Sequence, residues 1–177
     1  MTKVEVGPAN IRDMTYILGN LREEDRLEIT CQCESDDLRT MALLCVQPGQ
    51  SWIAYSKGVP AMAFGFTPQT LAGNTLSAWA FGTKRILHCI RPVTKWVYRN
   101  LVRDWIRTGK VTRIEARSII SHTGAHRWLE RTGAVQEAIN PEWGRDGETF
   151  LLYVWRRGNF IGPGAPGLPK LKSFIRR

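Results

Sequence analysis

Apolar and polar positions alternate along this chain with two different periods, and the alternation predicts a mixed α/β fold. A period of two predicts strands, whereas apolar residues three and four positions apart predict helices. The predicted order is β-α-α-β-β-β-α-β-α-β, a mixed sheet covered by helices. The predicted strands are residues 3–6, 51–56, 59–66, 76–81, 111–119 and 149–155, with a hairpin turn at Lys57-Gly58. The predicted helices are residues 11–21, 38–45 and 92–108, and a last helix that follows the turn at 121–124 and ends at Gly133.

The helix predicted at 92–108 has the clearest pattern. Pro92 suits the first helical position, because the N–H that proline lacks would have no intrahelical partner there. Gly109 is placed to end the helix. The apolar stripe consists of Val93, Trp96, Val97, Leu101, Val102, Trp105 and Ile106. Residues 22–26 (Arg-Glu-Glu-Asp-Arg) have no such stripe and are predicted to form a charged connection.

Residues 111–135 predict a strand, a polar corner and then a helix. Ser121 or Thr123 can cap the start of this helix, and Gly133 lies where a left-handed residue commonly ends one. Many α/β proteins place their chemistry at such a corner, after the carboxyl end of a strand. The pattern alone fits any β-α unit equally well.

The net charge of +9 is unevenly distributed over the 177 residues. Residues 1–37 hold nine acids and four bases, and residues 156–177 hold six bases and no acid. This balance favours an anionic partner, which could be a nucleotide cofactor, a nucleic acid or an acidic protein surface. No groove-reading motif accompanies the charge, so nucleic-acid binding is the least supported of the three.

The organisation predicted is one domain at residues 1–157 followed by a basic, Gly/Pro-rich tail at 158–177. The chain has no run of 18 apolar residues and no signal-peptide layout, which predicts a cytoplasmic protein without a membrane segment. The four cysteines lack a CxxC pair, so reduced thiols are favoured over a zinc site, and no metal is predicted.

The late β-α unit resembles the GNAT superfamily of acetyl-CoA-dependent N-acetyltransferases. The family motif on this corner is Asn, Ala three residues on, Tyr, and then Gly-Phe. Counted back from Gly133, the chain is similar at Ala125, Arg127, Glu130, Arg131 and Gly133. The resemblance implies a central mixed, mostly antiparallel sheet flanked by helices, acetyl-CoA as cofactor and an amine acceptor. Residues 132–135 with 145–147, and Asp25 with Glu28, resemble a phage branch, which implies a location in the host cytoplasm.

The resemblance also indicates which residues would bind the cofactor. In GNAT proteins a glycine-rich loop after the fourth strand holds the cofactor pyrophosphate at a helix N-terminus. Aligned on Gly109, the loop positions are His88, Arg91 and Val93, so both glycines are replaced. The cofactor-binding candidates are Phe81, Gly82, Thr83, His88, Arg91, Val93 and Thr94. Side chains that could pair with phosphates, or form a solvated basic edge, are Lys84, Arg85, His88, Arg91 and Lys95.

The catalytic candidates differ from the family pattern. The family tyrosine, often the acid that protonates the leaving thiolate, falls on Leu129, and the family asparagine falls on His122. His122 could act as a general acid or base, or could be a surface histidine near a cap. Asp25 and Glu28 could hold and deprotonate an amine, or form a solvated acidic turn.

Two functions follow from these observations. One is an acetyltransferase for a small molecule or a host protein. The other is a catalytically degenerate GNAT-like protein of a phage, which binds a host enzyme and modulates it.

Overall fold

The structure is a computed structural model, and it describes residues 4–33, 37–69, 74–102, 105 and 108–156. The strands are β1 Val4–Pro8, β2 Ser51–Ser56, β3 Val59–Pro68, β4 Thr75–Gly82, β5 Arg113–Ile119, β6 Val135–Asn140 and β7 Phe150–Arg156. The helices are α1 Ile11–Gly19, α2 Glu23–Thr30, α3 Leu38–Cys45, α4 Ile86–Val97 and α5 Thr123–Arg131, with a π-helical turn at Tyr98–Val102. The predicted tail at 158–177 lies outside the described residues.

The seven strands form one mixed sheet in the order β1-β2-β3-β4-β5-β7-β6. Strand β4 pairs in parallel with β5 over Thr75–Ser77, and the pairs β1-β2, β2-β3, β5-β7 and β6-β7 are antiparallel. The predicted mixed α/β class is confirmed. At the β2-β3 hairpin, Lys57 and Gly58 have φ angles of 53° and 76°, and two positive φ angles are what a tight hairpin turn requires.

The chain forms two compact units. The first contains Met1–Thr67, Ala78–Val93 and Gly144–Asp146. Its core packs α1 and α3 against the sheet through the buried residues Met14, Ile17, Leu18, Ala42, Ile53, Ala63 and Phe81. The second contains the described residues of the ranges 68–77, 94–143 and 147–156. Its largest fully buried side chains are Tyr153, Phe150, Ile114 and Val154.

Helix α4 begins before the predicted start at Pro92, which lies inside the helix. The earlier start follows from Ile86, Cys89 and Val93, which are all buried and lie on one helical face. Proline cannot donate a hydrogen bond to the carbonyl of His88 one turn earlier. Both residues are exposed, so water can solvate that carbonyl.

Helix α2 and strand β6 were not predicted, because neither has an apolar face. In α2 the one buried residue is Asp25. Its first turn carries Glu23, Glu24 and Asp25, and carboxylates there interact favourably with the helix dipole. Most of β6 is exposed on both faces, so it lacks the alternation that marks a half-buried strand. Its order comes from its pairing with β7.

No helix among the described residues is long and apolar enough to cross a membrane.

Strand β6 is also tied to its neighbours by Glu137. Two nitrogens of Arg113 donate to Glu137 at 3.0 and 2.9 Å, and Arg156 donates as well. These hydrogen bonds lower the pKa of Glu137 to about 2. Because the folded pKa is depressed, the stabilisation is fully present above the unfolded pKa of about 4.5 and is lost as pH falls towards 2.

Glu137→Gln should therefore lower the urea midpoint at pH 7 and lower it less at pH 3. Urea denaturation of both proteins at the two pH values measures this difference. Glu142→Gln, at an exposed position, controls for loss of a surface carboxylate. A midpoint difference for Glu137→Gln that is the same at both pH values would contradict the assignment.

Candidate functional sites at two strand-to-helix corners

The first corner joins β4 to α4 through residues 83–85 and lies in the first unit. Thr83 is buried and makes several of the hydrogen bonds that form the corner. Its carbonyl accepts from the N–H of Ile86 at 2.9 Å, and its hydroxyl accepts from the N–H of Arg85 at 3.2 Å. The N–H of Thr83 donates to the carbonyl of Ala61 in β3 at 2.9 Å. The corner is therefore fixed to the sheet. The backbone N–H groups of Arg85 and Ile86 already donate to Thr83.

Gly82, the last residue of β4, is held from the other side by Asp25. The Asp25 carboxylate accepts from the Gly82 N–H at 2.8 Å and from two nitrogens of Arg22 at 2.7 and 2.8 Å. The backbone N–H of Arg22 also donates to the Gly82 carbonyl at 3.0 Å. Burial lowers the pKa of Arg22, but the Asp25 carboxylate together with Glu24 and Glu28 outweighs burial and raises that pKa above its usual value.

A side chain on Gly82 has no room. An added Cβ would lie 2.5 Å from the carbonyl oxygen of Ala61 and 3.2 Å from the Cβ of Ile86. The Ala61 oxygen is already bonded to Thr83, so it cannot move away without breaking the corner. Glycine at this position is a consequence of close backbone packing.

An open cleft of about 370 Å³ lies beside this corner. Its lining residues are Tyr16, Gly19, Asn20, Leu21, Arg26, Thr83, Lys84 and Arg85. Three of them are exposed cations, Arg26, Lys84 and Arg85, and none is an acid. The N-terminus of α4 adds the positive end of a helix dipole. The cleft therefore suits a phosphate or another multiply charged anion.

Apart from Gly82 and Thr83, the predicted cofactor-binding residues lie outside the first corner. Alignment on Gly109 set the loop at 88–93, whereas the corner begins at Gly82 and those residues are inside α4. His88 and Arg91 are exposed on the helix, and Val93 is fully buried. Phe81 belongs to the core, where it stacks on Trp79 with ring centroids 5.3 Å apart.

The second corner joins β5 to α5 and lies in the second unit. His122 is its N-cap residue and is 6% exposed. Its N–H donates to the carbonyl of Ile119 at 2.9 Å, and its carbonyl accepts from Ala125 at 3.0 Å. Its side chain makes no capping hydrogen bond to the helix, so the imidazole is not used to cap α5.

Three further side chains of α5 are buried or hydrogen-bonded. Leu129, at the family's tyrosine position, is buried. The Nε2 atom of His126 lies 3.0 Å from the carbonyl oxygen of Ile119, and its ring stacks on Tyr153 at 5.6 Å. His126 is buried, with 9% of its surface exposed. Trp128 donates through Nε1 to the Thr94 hydroxyl at 2.7 Å, so Thr94 accepts a hydrogen bond from α5.

Glu28 lies one turn after Asp25 on α2 and is half-buried. Arg26, between them in sequence, is the functional candidate that sequence reasoning missed. Residues 22–26 were predicted to be a connection, and only the helix brings Arg26 to the cleft. Lys84 and Arg85 were already candidates from the sequence, as bases that follow the strand predicted at 76–81 and could pair with phosphates.

Solved structures with this fold are numerous, although no protein-family model and no curated protein matches the chain. A GNAT-family acetyltransferase from Bacillus anthracis is 12% identical with a TM-score of 0.62, covering 89% of this chain and 97% of that one. RimL, a ribosomal L7/L12 alpha-N-protein acetyltransferase in complex with coenzyme A, is 10% identical with a TM-score of 0.65, covering 88% and 95%.

The ribosomal-protein-S5-alanine acetyltransferase of Vibrio fischeri is 13% identical with a TM-score of 0.63, covering 92% of this chain and 97% of that one. At these identities the likeness establishes the fold. The chain has the fold of the GNAT superfamily.

Proposed function

We propose that this protein is an acetyltransferase that uses acetyl-CoA and an amine acceptor. The observation that carries the proposal is the cluster of Arg26, Lys84 and Arg85 at the start of α4, on a GNAT fold. Structural neighbours with this fold include acetyltransferases, and RimL was solved with coenzyme A.

The cluster suits the phosphates of the cofactor by a route that differs from the family's glycine loop. Thr83 already occupies the N–H groups of Arg85 and Ile86, so those donors are less available to an anion. Lysine and arginine side chains supply charge-assisted hydrogen bonds instead. When bound, acetyl-CoA would supply the activated acetyl thioester. The protein's part at this corner is to neutralise and hold its phosphates.

The proton-transfer groups proposed are His122 and Glu28. A neutral imidazole can take a proton from an acceptor amine, and a carboxylate can do the same or hold a cationic amine. Asp25 is less suited, because Arg22 and Gly82 already engage both of its carboxylate oxygens. We also propose that the acceptor is a small amine or a host protein, and that the protein originates from a phage.

Calorimetric titration of the purified protein with acetyl-CoA tests the proposal. We expect saturable heat and a rise in melting temperature, because a ligand that binds the native state stabilises it. Absence of both at millimolar cofactor would exclude the acetyltransferase function.

Lys84→Ala and Arg85→Ala should each weaken acetyl-CoA binding about tenfold to a hundredfold, since a hydrogen bond to a charged group is worth about 1.5–3 kcal/mol. The dissociation constant from the same titration measures the effect. Lys110→Ala, which removes an exposed cation outside the cleft, is the matched control. Equal affinities for the control and both cleft variants would assign the phosphate contacts elsewhere.

The second candidate function is a degenerate GNAT-fold protein that binds and modulates a host enzyme. It is favoured by the buried Leu129, which cannot donate a proton in place of the family tyrosine. Acetyl-CoA binding without acetyl transfer to amines or host proteins would support this candidate. Measurable turnover would exclude it.

A further inference from the structure

We propose that Asp25 is a positioning residue for phosphate recognition at the first corner. Its carboxylate sets the position of Gly82, and through Gly82 the positions of Lys84 and Arg85. The inference rests on the proposed function and assigns to Asp25 a role in cofactor affinity.

The geometry ties the start of α2 to the end of β4 through adjacent contacts. Leu21 forms an antiparallel bridge with Thr83, and Arg22 bonds the Gly82 carbonyl through its backbone. Asp25 then accepts from the Gly82 N–H while its carboxylate is clamped by the Arg22 guanidinium. Both the N–H and the carbonyl of Gly82 are thus held by one turn of the chain at α2.

The Asp25 carboxylate is buried, so it depends on its hydrogen-bond partners. Asp25 is 3% exposed, and a buried carboxylate needs its partners because the cost of desolvation is otherwise unmet. The next residue on α2 is Arg26, which lines the same cleft as Lys84 and Arg85. One helical turn therefore both supplies a cation and fixes the corner that carries the other two.

Asp25→Asn tests the inference because the alternatives predict different changes in acetyl-CoA affinity. An amide of equal size cannot accept at both positions, so the NH₂ group of the substituted side chain would oppose a donor of Gly82 or Arg22. If Asp25 positions the corner, acetyl-CoA binding weakens tenfold or more. If Asp25 acts only through its charge, removal of an acid near the cations tightens binding. If its role is only structural, the melting temperature falls and the affinity of the folded protein is unchanged. Either of the last two results would overturn the proposal.

Two further variants keep the test decisive. Glu24→Gln removes an exposed carboxylate from the same helix and should leave the affinity unchanged. Arg22→Lys keeps the charge but loses the two-point contact with Asp25, and it should weaken binding several-fold even if Asp25→Asn fails to fold. Unchanged affinity in a folded Arg22→Lys protein would also overturn the proposal.

Inorganic pyrophosphate is titrated in parallel with acetyl-CoA. If wild type binds pyrophosphate but not acetyl-CoA, the proposed acetyltransferase function is wrong. The role of Asp25 is then tested by comparing the pyrophosphate affinities of wild type and Asp25→Asn. If wild type binds neither, both proposals fail.

Discussion

Replacing Gly82 by alanine should abolish detectable acetyl-CoA binding and lower the free energy of unfolding by about 2–3 kcal/mol. The added methyl carbon would lie 2.5 Å from the Ala61 carbonyl oxygen, which is backbone and cannot rotate away. Relief of the clash requires β4 to separate from β3 at this point. That movement would break the Thr83 bond to Ala61 and displace the Gly82 N–H from Asp25. Stability and cofactor affinity should therefore fall together.

Gly124→Ala is the matched control for this change. Gly124 lies in the first turn of α5, where an added Cβ meets no atom within 4 Å. Alanine also favours the helix more than glycine does, so this variant should be as stable as wild type or slightly more stable. Urea denaturation and acetyl-CoA titration of both variants make the comparison. A Gly82→Ala protein with wild-type stability would show that the corner adapts to a side chain.

The fold was predictable from sequence wherever a face is buried. The strands at 51–56 and 59–66 and the helix at 38–45 match the structure closely, because burial of one side imposes a period on the sequence. Helix α2 and strand β6 have no such period. Helix α2 depends on its dipole and on the contact of Asp25 with Gly82, and β6 depends on ion pairs of Glu137 and on its pairing with β7. The contact with Gly82, the ion pairs of Glu137 and the strand pairing involve partners distant in sequence.

In the candidate sites, too, local sequence patterns were readable and contacts between distant residues were not. His122 is a candidate from the sequence because a strand, a polar corner and a helix follow one another along the chain, and its catalytic role stays a prediction. The role proposed for Asp25 was not readable from the sequence, because its partner Gly82 is 57 positions away. Pro92 misplaced the predicted start of α4, and alignment on Gly109 set the predicted loop at 88–93, inside that helix. A proline is common at a helix start, but it is also tolerated inside α4, where the carbonyl of His88 that lacks its donor is on an exposed residue.

His122→Ala should lower kcat of the folded protein about a hundredfold, as loss of a general acid or base typically does, and should also lower the melting temperature because the side chain is buried. This prediction rests on the proposed function. The His122 backbone, not its imidazole, makes the hydrogen bonds that start α5. Truncation at Cβ therefore leaves the helix start in place. Acetyl transfer to an amine acceptor, followed as release of free thiol, measures kcat.

His126→Ala separates catalysis from structure on the same helix. A carbonyl oxygen can only accept, so the Nε2 atom of His126, 3.0 Å from the Ile119 oxygen, must carry the proton. Its ring also packs on the fully buried Tyr153. His126→Ala should therefore lower the melting temperature by several degrees and leave kcat of the folded protein within a few-fold of wild type. If His126→Ala lowers kcat as much as His122→Ala does, the two histidines act as one packed unit and His122 loses its assignment as the proton carrier.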